Sequence, residues 1–127
     1  MSAAAHNGSC HCGRVTFRAD GDPKFISACH CDSCRRSTGA AFSVWAGFPS
    51  THVNWLGESP TFYASSKGVQ RGFCRSCGTP LSYQGEKWPE ETHFLIGVFK
   101  DPSPFAPKSD YMVEGRLSWV KPVVEKQ

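Results

Sequence analysis

No apolar run in this 127-residue chain is long enough to cross a bilayer. The longest, AAFSVWAGF at residues 40–48, covers nine positions, where about 20 are needed. No stretch keeps a 3.6-residue apolar period, so long amphipathic helices are not expected. There is no linker, low-complexity segment or solenoid period. The start, MSAAAHNGSC, has neither a basic opening nor an apolar core, so a secretory leader is not expected. No G-x-S-x-G motif and no ordered triad of Ser, His and Asp is present, which removes the common hydrolase designs. Strong charge of one sign is also missing. Fourteen Lys plus Arg stand against 11 Asp plus Glu, giving a formal charge of +3. The basic residues are scattered, so a nucleic-acid partner is not expected. We expect a chain with no membrane partner, working in the cytoplasm.

The composition is that of one globular domain, with 39% hydrophobic and 20% charged residues. Twelve Gly and nine Pro are spread along the chain, so turns are frequent and elements short. The segment GRVTFRADG alternates apolar and polar residues with strand period. KFISACHC reads as a second strand and DSCRRSTG as a helical turn stopped by Gly39. AAFSVWAGF, HVNWLG and PTFYAS follow as β-leaning runs. VQRGFCRSCGTPLSYQG reads as strand, tight turn and return strand, and HFLIGVF as a buried strand. Residues 1–7 are expected to fray, 8–122 to form the domain, and 123–127 to form a tail.

Seven cysteines dominate the chemistry. They fall into three clusters: Cys10 with Cys12, then Cys29, Cys31 and Cys34, then Cys74 with Cys77. In a reducing compartment such clusters read as metal ligands before disulfides, and an odd count points the same way. The C-x-x-C-G turn ending at Gly78 suits a metal knuckle, with converging sulfurs and a glycine free to take unusual dihedrals. Zinc is favoured, because it takes thiolates in tetrahedral sites; the spacings do not match the ferredoxin patterns. Seven thiolates and two divalent ions would also cancel the formal charge. Spacing alone leaves two divisions open. Cys10, Cys12, Cys74 and Cys77 can close one site and leave Cys29, Cys31 and Cys34 with a free position. Alternatively Cys31 and Cys34 can pair with Cys74 and Cys77 as a zinc ribbon.

GSCHCGRVTF, CHCDSCRRSTGAAF, and Tyr63, Ser65, Ser66 and Arg71 leading into FCRSCGTPL resemble the glutathione-dependent formaldehyde-activating enzyme family, which also contains centromere protein V. The likeness runs from about Gly8 to Trp119. It implies a mainly β fold of several small, coiled antiparallel sheets in one domain stapled by zinc, with two zinc ions per chain. By position, Cys10, Cys12, Cys74 and Cys77 would hold the structural ion and Cys29, Cys31 and Cys34 the catalytic one. The implied activity is that of a carbon–sulfur lyase on a small thiol adduct such as S-hydroxymethylglutathione, formed from glutathione and formaldehyde. Many members carry a His after the Pro-containing loop, where this chain has Asp110.

Arg35 and Arg36 follow the triplet and offer planar forks for a substrate carboxylate, although a solvated face is the competing reading. Phe42, Trp45 and Phe48 are candidates for a pocket wall, against ordinary core. His30, set between two ligands, is expected to point away from them, whereas a structural site would enlist it or His11 as a fourth ligand. The rival function is a non-catalytic zinc module that binds protein or nucleic acid. A vacant coordination position argues for the enzyme.

Overall fold

The computed structural model describes residues 4–124. Strands β1 (Ala5–Ser9), β2 (Thr16–Asp20) and β5 (Val53–Trp55) form a three-stranded antiparallel sheet in the order β1-β2-β5. The other strands are β3 (Phe25–Cys29), β4 (Ser43–Pro49), β6 (Thr61–Ser66), β7 (Val69–Phe73), β8 (Pro80–Gly85), β9 (Glu91–Leu95) and β10 (Ser109–Tyr111). They form a seven-stranded sheet in the order β10-β3-β4-β9-β8-β7-β6. One short helix, α1 (Asp32–Thr38), leaves the end of β3. It stops where Gly39 takes φ 72° and returns its N–H to the Arg35 carbonyl at 2.7 Å.

The mainly β architecture holds, with two adjustments. The sheets number two among the described residues, and the larger is mixed: β10 runs parallel to β3. The N-terminal boundary also moves. Residues 5–7, expected to fray, pair with β2 from Ala5↔Asp20 onward. The His6 ring packs at 5.0 Å from Phe105 and 5.9 Å from Phe48. Small polar residues gave no periodic signal there; order comes from the partner strand and the aromatic core. Residues 1–3 of that segment, and 125–127 of the expected tail, lie outside the described residues. Val123 and Val124 are held to the domain through Asp110.

Period-2 alternation gives the large sheet two unlike faces. One face packs on the small sheet. Phe17 of β2 stacks on Phe94 of β9 at 4.0 Å and 4°, and Val15, Ala19, Ala46 and Phe48 complete a buried layer. The other face carries the opposite set. On β3 this is Phe25, Ser27 and Cys29, paired with Gly47, Trp45 and Ser43 of β4. The row continues through His93 of β9, Tyr83 of β8 and Arg71 of β7. The first face makes the core and the second makes the floor of a cleft. Among the described residues no helix is long and apolar enough to cross a membrane.

Candidate metal centres

The Sγ atoms of Cys10, Cys12, Cys74 and Cys77 all lie within 4.8 Å of one another. Two turns present them. The β1–β2 turn folds Gly13 N–H onto the Cys10 carbonyl (3.2 Å), and the β7–β8 turn folds Gly78 N–H onto the Cys74 carbonyl (2.7 Å). Gly78 takes φ 80°, a conformation that costs glycine nothing. The Val15 N–H donates to Cys10 Sγ at 3.3 Å, and Thr79 Oγ1 lies 3.1 Å from Cys77 Sγ. The separations Cys10–Cys12 of 3.6 Å and Cys12–Cys74 of 3.8 Å fit the edge of a tetrahedron, about 3.8 Å for metal–sulfur bonds of about 2.3 Å. Thr79, with its hydroxyl first and its amide second, pulls the Cys77 thiol down to about 5. The Arg14 amide would lower Cys12, but burial and the three neighbouring sulfurs outweigh it and push Cys12 up to about 11. Four converging sulfurs backed by amide and hydroxyl donors are arranged to exchange their protons for a cation.

The second cluster is Cys29, Cys31 and Cys34, again with every sulfur within 4.8 Å of the others. Cys29 ends β3. Cys31 caps α1, its sulfur accepting the Cys34 N–H at 3.2 Å. Hydrogen bonding from Cys29 comes first in drawing the Cys34 thiol down to about 5, with Cys31 and the Arg71 charge adding to it against burial. Cys29 moves in the opposite direction, because its bond to Cys34 and its burial keep it protonated. Among the described residues no His, Asp or Glu joins this group. The zinc-ribbon division, which needs Cys31 and Cys34 beside Cys74 and Cys77, is not what the fold assembles.

His30 does not close the triplet. It is fully buried and turned the other way, with Nε2 2.8 Å from Asp110 Oδ1. Asp110 also accepts the Val123 and Val124 amides at 3.1 and 2.9 Å. Burial pushes its carboxyl up, but the His30 bond and the two amides outweigh burial and hold it below its usual value. Asp110→Ala is therefore expected to lower stability by about 2–4 kcal/mol in urea unfolding, since it strands a buried imidazole and two amides. The sign of the pH effect follows from the depressed folded value. The contribution is complete above about pH 4, the unfolded carboxylate range, and is lost as pH falls through the folded value.

The triplet opens into a cleft of about 660 Å³ over the sheet floor. Cys29, Cys31 and Cys34 stand at one end. Phe25 lies four residues back along β3, roughly 13 Å away, and shares the other end with His93 and Trp88. Trp45, Tyr83 and Arg71 wall the middle, and Lys67 and Lys87 stand on the rim. His93 Nε2 meets Glu91 Oε1 at 2.9 Å, and Glu91 pairs with Lys24 at 3.0 Å. Burial lowers the His93 pKa, opposed by Glu91.

Of the three aromatic candidates, Trp45 alone lines the cleft. Phe48 is core, and Phe42 lies 5.5 Å from the His30 ring. Arg35 and Arg36 are not brought to the cleft. Arg35 Nη1 donates to the Gly115 and His30 carbonyls at 2.8 and 3.2 Å. Arg36 is 82% exposed and faces Asp32 at 3.6 Å. The arginine on the cleft is Arg71, whose position between Val69 and Phe73 in a strand leading into a cysteine knuckle was the available signal.

A crystal structure of a Rhodobacter sphaeroides protein shares the fold, with a TM-score of 0.62 at 23% identity over 82% of this chain and 98% of that one. A Halomonas elongata protein, provisionally named a glutathione-dependent formaldehyde-activating enzyme, is 28% identical over 123 residues, 90% of this chain and 78% of that protein. An uncharacterized lyase of Schizosaccharomyces pombe is 32% identical over 80 residues, 61% of this chain and 56% of that protein. The model of the glutathione-dependent formaldehyde-activating enzyme family matches residues 5–115, and the chain belongs to that family.

Proposed function

We propose that the chain is a zinc-dependent carbon–sulfur lyase acting on a small thiol adduct, with S-hydroxymethylglutathione, the adduct of glutathione and formaldehyde, as the leading substrate. The observation that carries this reading is the second cluster: three sulfurs, no fourth protein ligand among the described residues, and a cleft at the vacant side. Three protein ligands with an open position is the pattern of catalytic zinc, whereas four is the structural pattern. On this reading Cys10, Cys12, Cys74 and Cys77 hold one ion for the fold, and Cys29, Cys31 and Cys34 hold another for chemistry. Bound zinc supplies Lewis acidity, softened by three thiolates, that lowers the pKa of a thiol brought to it.

The chain's own residues do the rest. The triplet fixes where the substrate sulfur arrives. Trp45, Tyr83 and Phe25 exclude water along the cleft and cover the body of the substrate. Lys67 and Lys87 on the rim offer positive charge to a carboxylate at its far end. In the forward direction the thiol loses its proton, a sulfur–carbon bond forms at the carbonyl carbon, and a proton is delivered to the oxygen. The reverse direction breaks that bond and releases thiol and aldehyde. No oxidant or reductant enters. Free thiols at all seven cysteines suit a reducing compartment, and the cytoplasm is the proposed location.

The test is carbon-13 exchange NMR on labelled formaldehyde with glutathione. Protein carrying two zinc ions per chain is expected to speed interconversion of aldehyde and adduct, and chelation is expected to remove the acceleration. No acceleration by the fully loaded protein would contradict the reading.

A further inference from the structure

Among the described residues, Arg71 is a buried cation with no carboxylate to face. It is 5% exposed. Its Nε donates to Ser65 Oγ at 3.0 Å and its Nη2 to Ser33 Oγ at 3.2 Å, both neutral acceptors. Nη1 has no partner among the described residues. The guanidinium carbon lies 5.1 Å from the Tyr83 ring centroid and 6.0 Å from that of Trp45. By contrast, Arg18, Arg36 and Arg75 meet carboxylates at the surface, where an ion pair contributes little. The buried arginine, where a counter-charge matters most, has none of that kind. Desolvating a guanidinium without compensation is among the least favourable arrangements a fold can hold. The nearest group able to carry negative charge is sulfur: Nη2 lies 3.9 Å from Cys34 Sγ.

Resting on the reading of Cys29, Cys31 and Cys34 as a three-thiolate site open at its fourth position, we propose that Arg71 is the counter-charge of that site and sets its preference for an anionic exchangeable ligand. Three thiolates around a divalent ion leave one net negative charge, which Arg71 balances. An anion entering the open position then restores a single negative charge. Without Arg71 the same step would build two negative charges in a water-poor cleft. Arg71 thus favours a thiolate over water or a neutral nitrogen base, and is a specificity-determining residue for thiols.

The experiment titrates azide, an anion, and imidazole, a neutral base, into the full chain loaded with cobalt at both sites, following the visible and near-ultraviolet bands. Wild type, Arg71→Gln and Arg71→Lys are compared. Gln keeps polar contacts without charge, and Lys keeps charge without the fork. The expected result is a fall in azide affinity of roughly 100-fold for Arg71→Gln, the size of a unit charge at about 6 Å and an effective dielectric of about 20. Imidazole affinity should be unchanged, and Arg71→Lys should retain most of the azide binding. Equal azide binding by wild type and Arg71→Gln overturns the proposal while leaving the open site intact. A parallel loss of azide and imidazole overturns it in favour of a packing role. If wild type takes up neither probe, the open position itself fails and the proposal falls with it.

Discussion

On the proposed reading, Cys34→Ser is expected to hold one metal ion per chain against an expected two for the wild type, and to have no detectable lyase turnover. Its far-ultraviolet circular dichroism should match wild type. Cys34 is buried on α1 with its sulfur among those of Cys29 and Cys31, and a serine hydroxyl is a poor replacement for thiolate at a soft-ligand site. Two sulfurs cannot keep the ion in place. The fold survives because α1 is a short excursion from β3, while both sheets and the other cluster are untouched. Arg71 loses its sulfur neighbour, so a modest loss of about 1–2 kcal/mol is expected, the scale of one charge-assisted contact. Metal content by inductively coupled plasma spectrometry, read beside the NMR exchange assay, separates these effects. Cys31→Ser should behave alike.

Cys77→Ser should do the reverse and remove the fold. Cys77 is exposed, and a surface serine replacing a surface cysteine would ordinarily cost little. Here it removes one of four sulfurs, the proposed ligands, from the cluster that joins the β1–β2 turn to the β7–β8 turn, more than 60 residues apart in sequence. A structural zinc site contributes roughly 10–16 kcal/mol of apparent binding free energy to folding, against a net stability of about 5–15 kcal/mol for a domain of this kind. Losing that cluster is expected to exhaust the stability. Thermal unfolding should place Cys77→Ser close to wild type treated with chelator, and further chelator should change it little. Cys34→Ser, by contrast, should melt only several degrees below wild type and lose the rest of its stability when chelated.

Much of this arrangement was legible in the chain. Val15, Phe17 and Ala19 alternate because one side of β2 is core, so strand period was visible at once. Gly39 ends α1 where a left-handed residue is needed. Spacing alone left the grouping of the seven sulfurs open; the family resemblance implied four and three, and the fold brings the sulfurs together in those two groups. What was not legible depends on contacts distant in sequence. Nothing in Ser109–Tyr111 announces a strand; it becomes one by running parallel to β3, some 80 residues earlier. The same pairing carries Asp110 to His30, so a histidine set between two cysteines is claimed by a carboxylate. Arg71 gains its meaning from Ser33 and Cys34 of α1 and Ser65 of β6, which two separate segments bring around it. Arg35, immediately after the triplet in sequence, is directed by the helix toward the Gly115 carbonyl instead of the cleft. Adjacency in sequence marks converging sulfurs well at knuckle turns and marks the residues that line the cleft poorly.

The most direct measurement of the two-site account is an anomalous-scattering map at the zinc edge from crystals of freshly reduced, metal-replete protein. The account predicts two peaks per chain: one surrounded by Cys10, Cys12, Cys74 and Cys77, the other by Cys29, Cys31 and Cys34 with a non-protein atom completing its shell. A single peak, or a second peak capped by a histidine nitrogen, would contradict it.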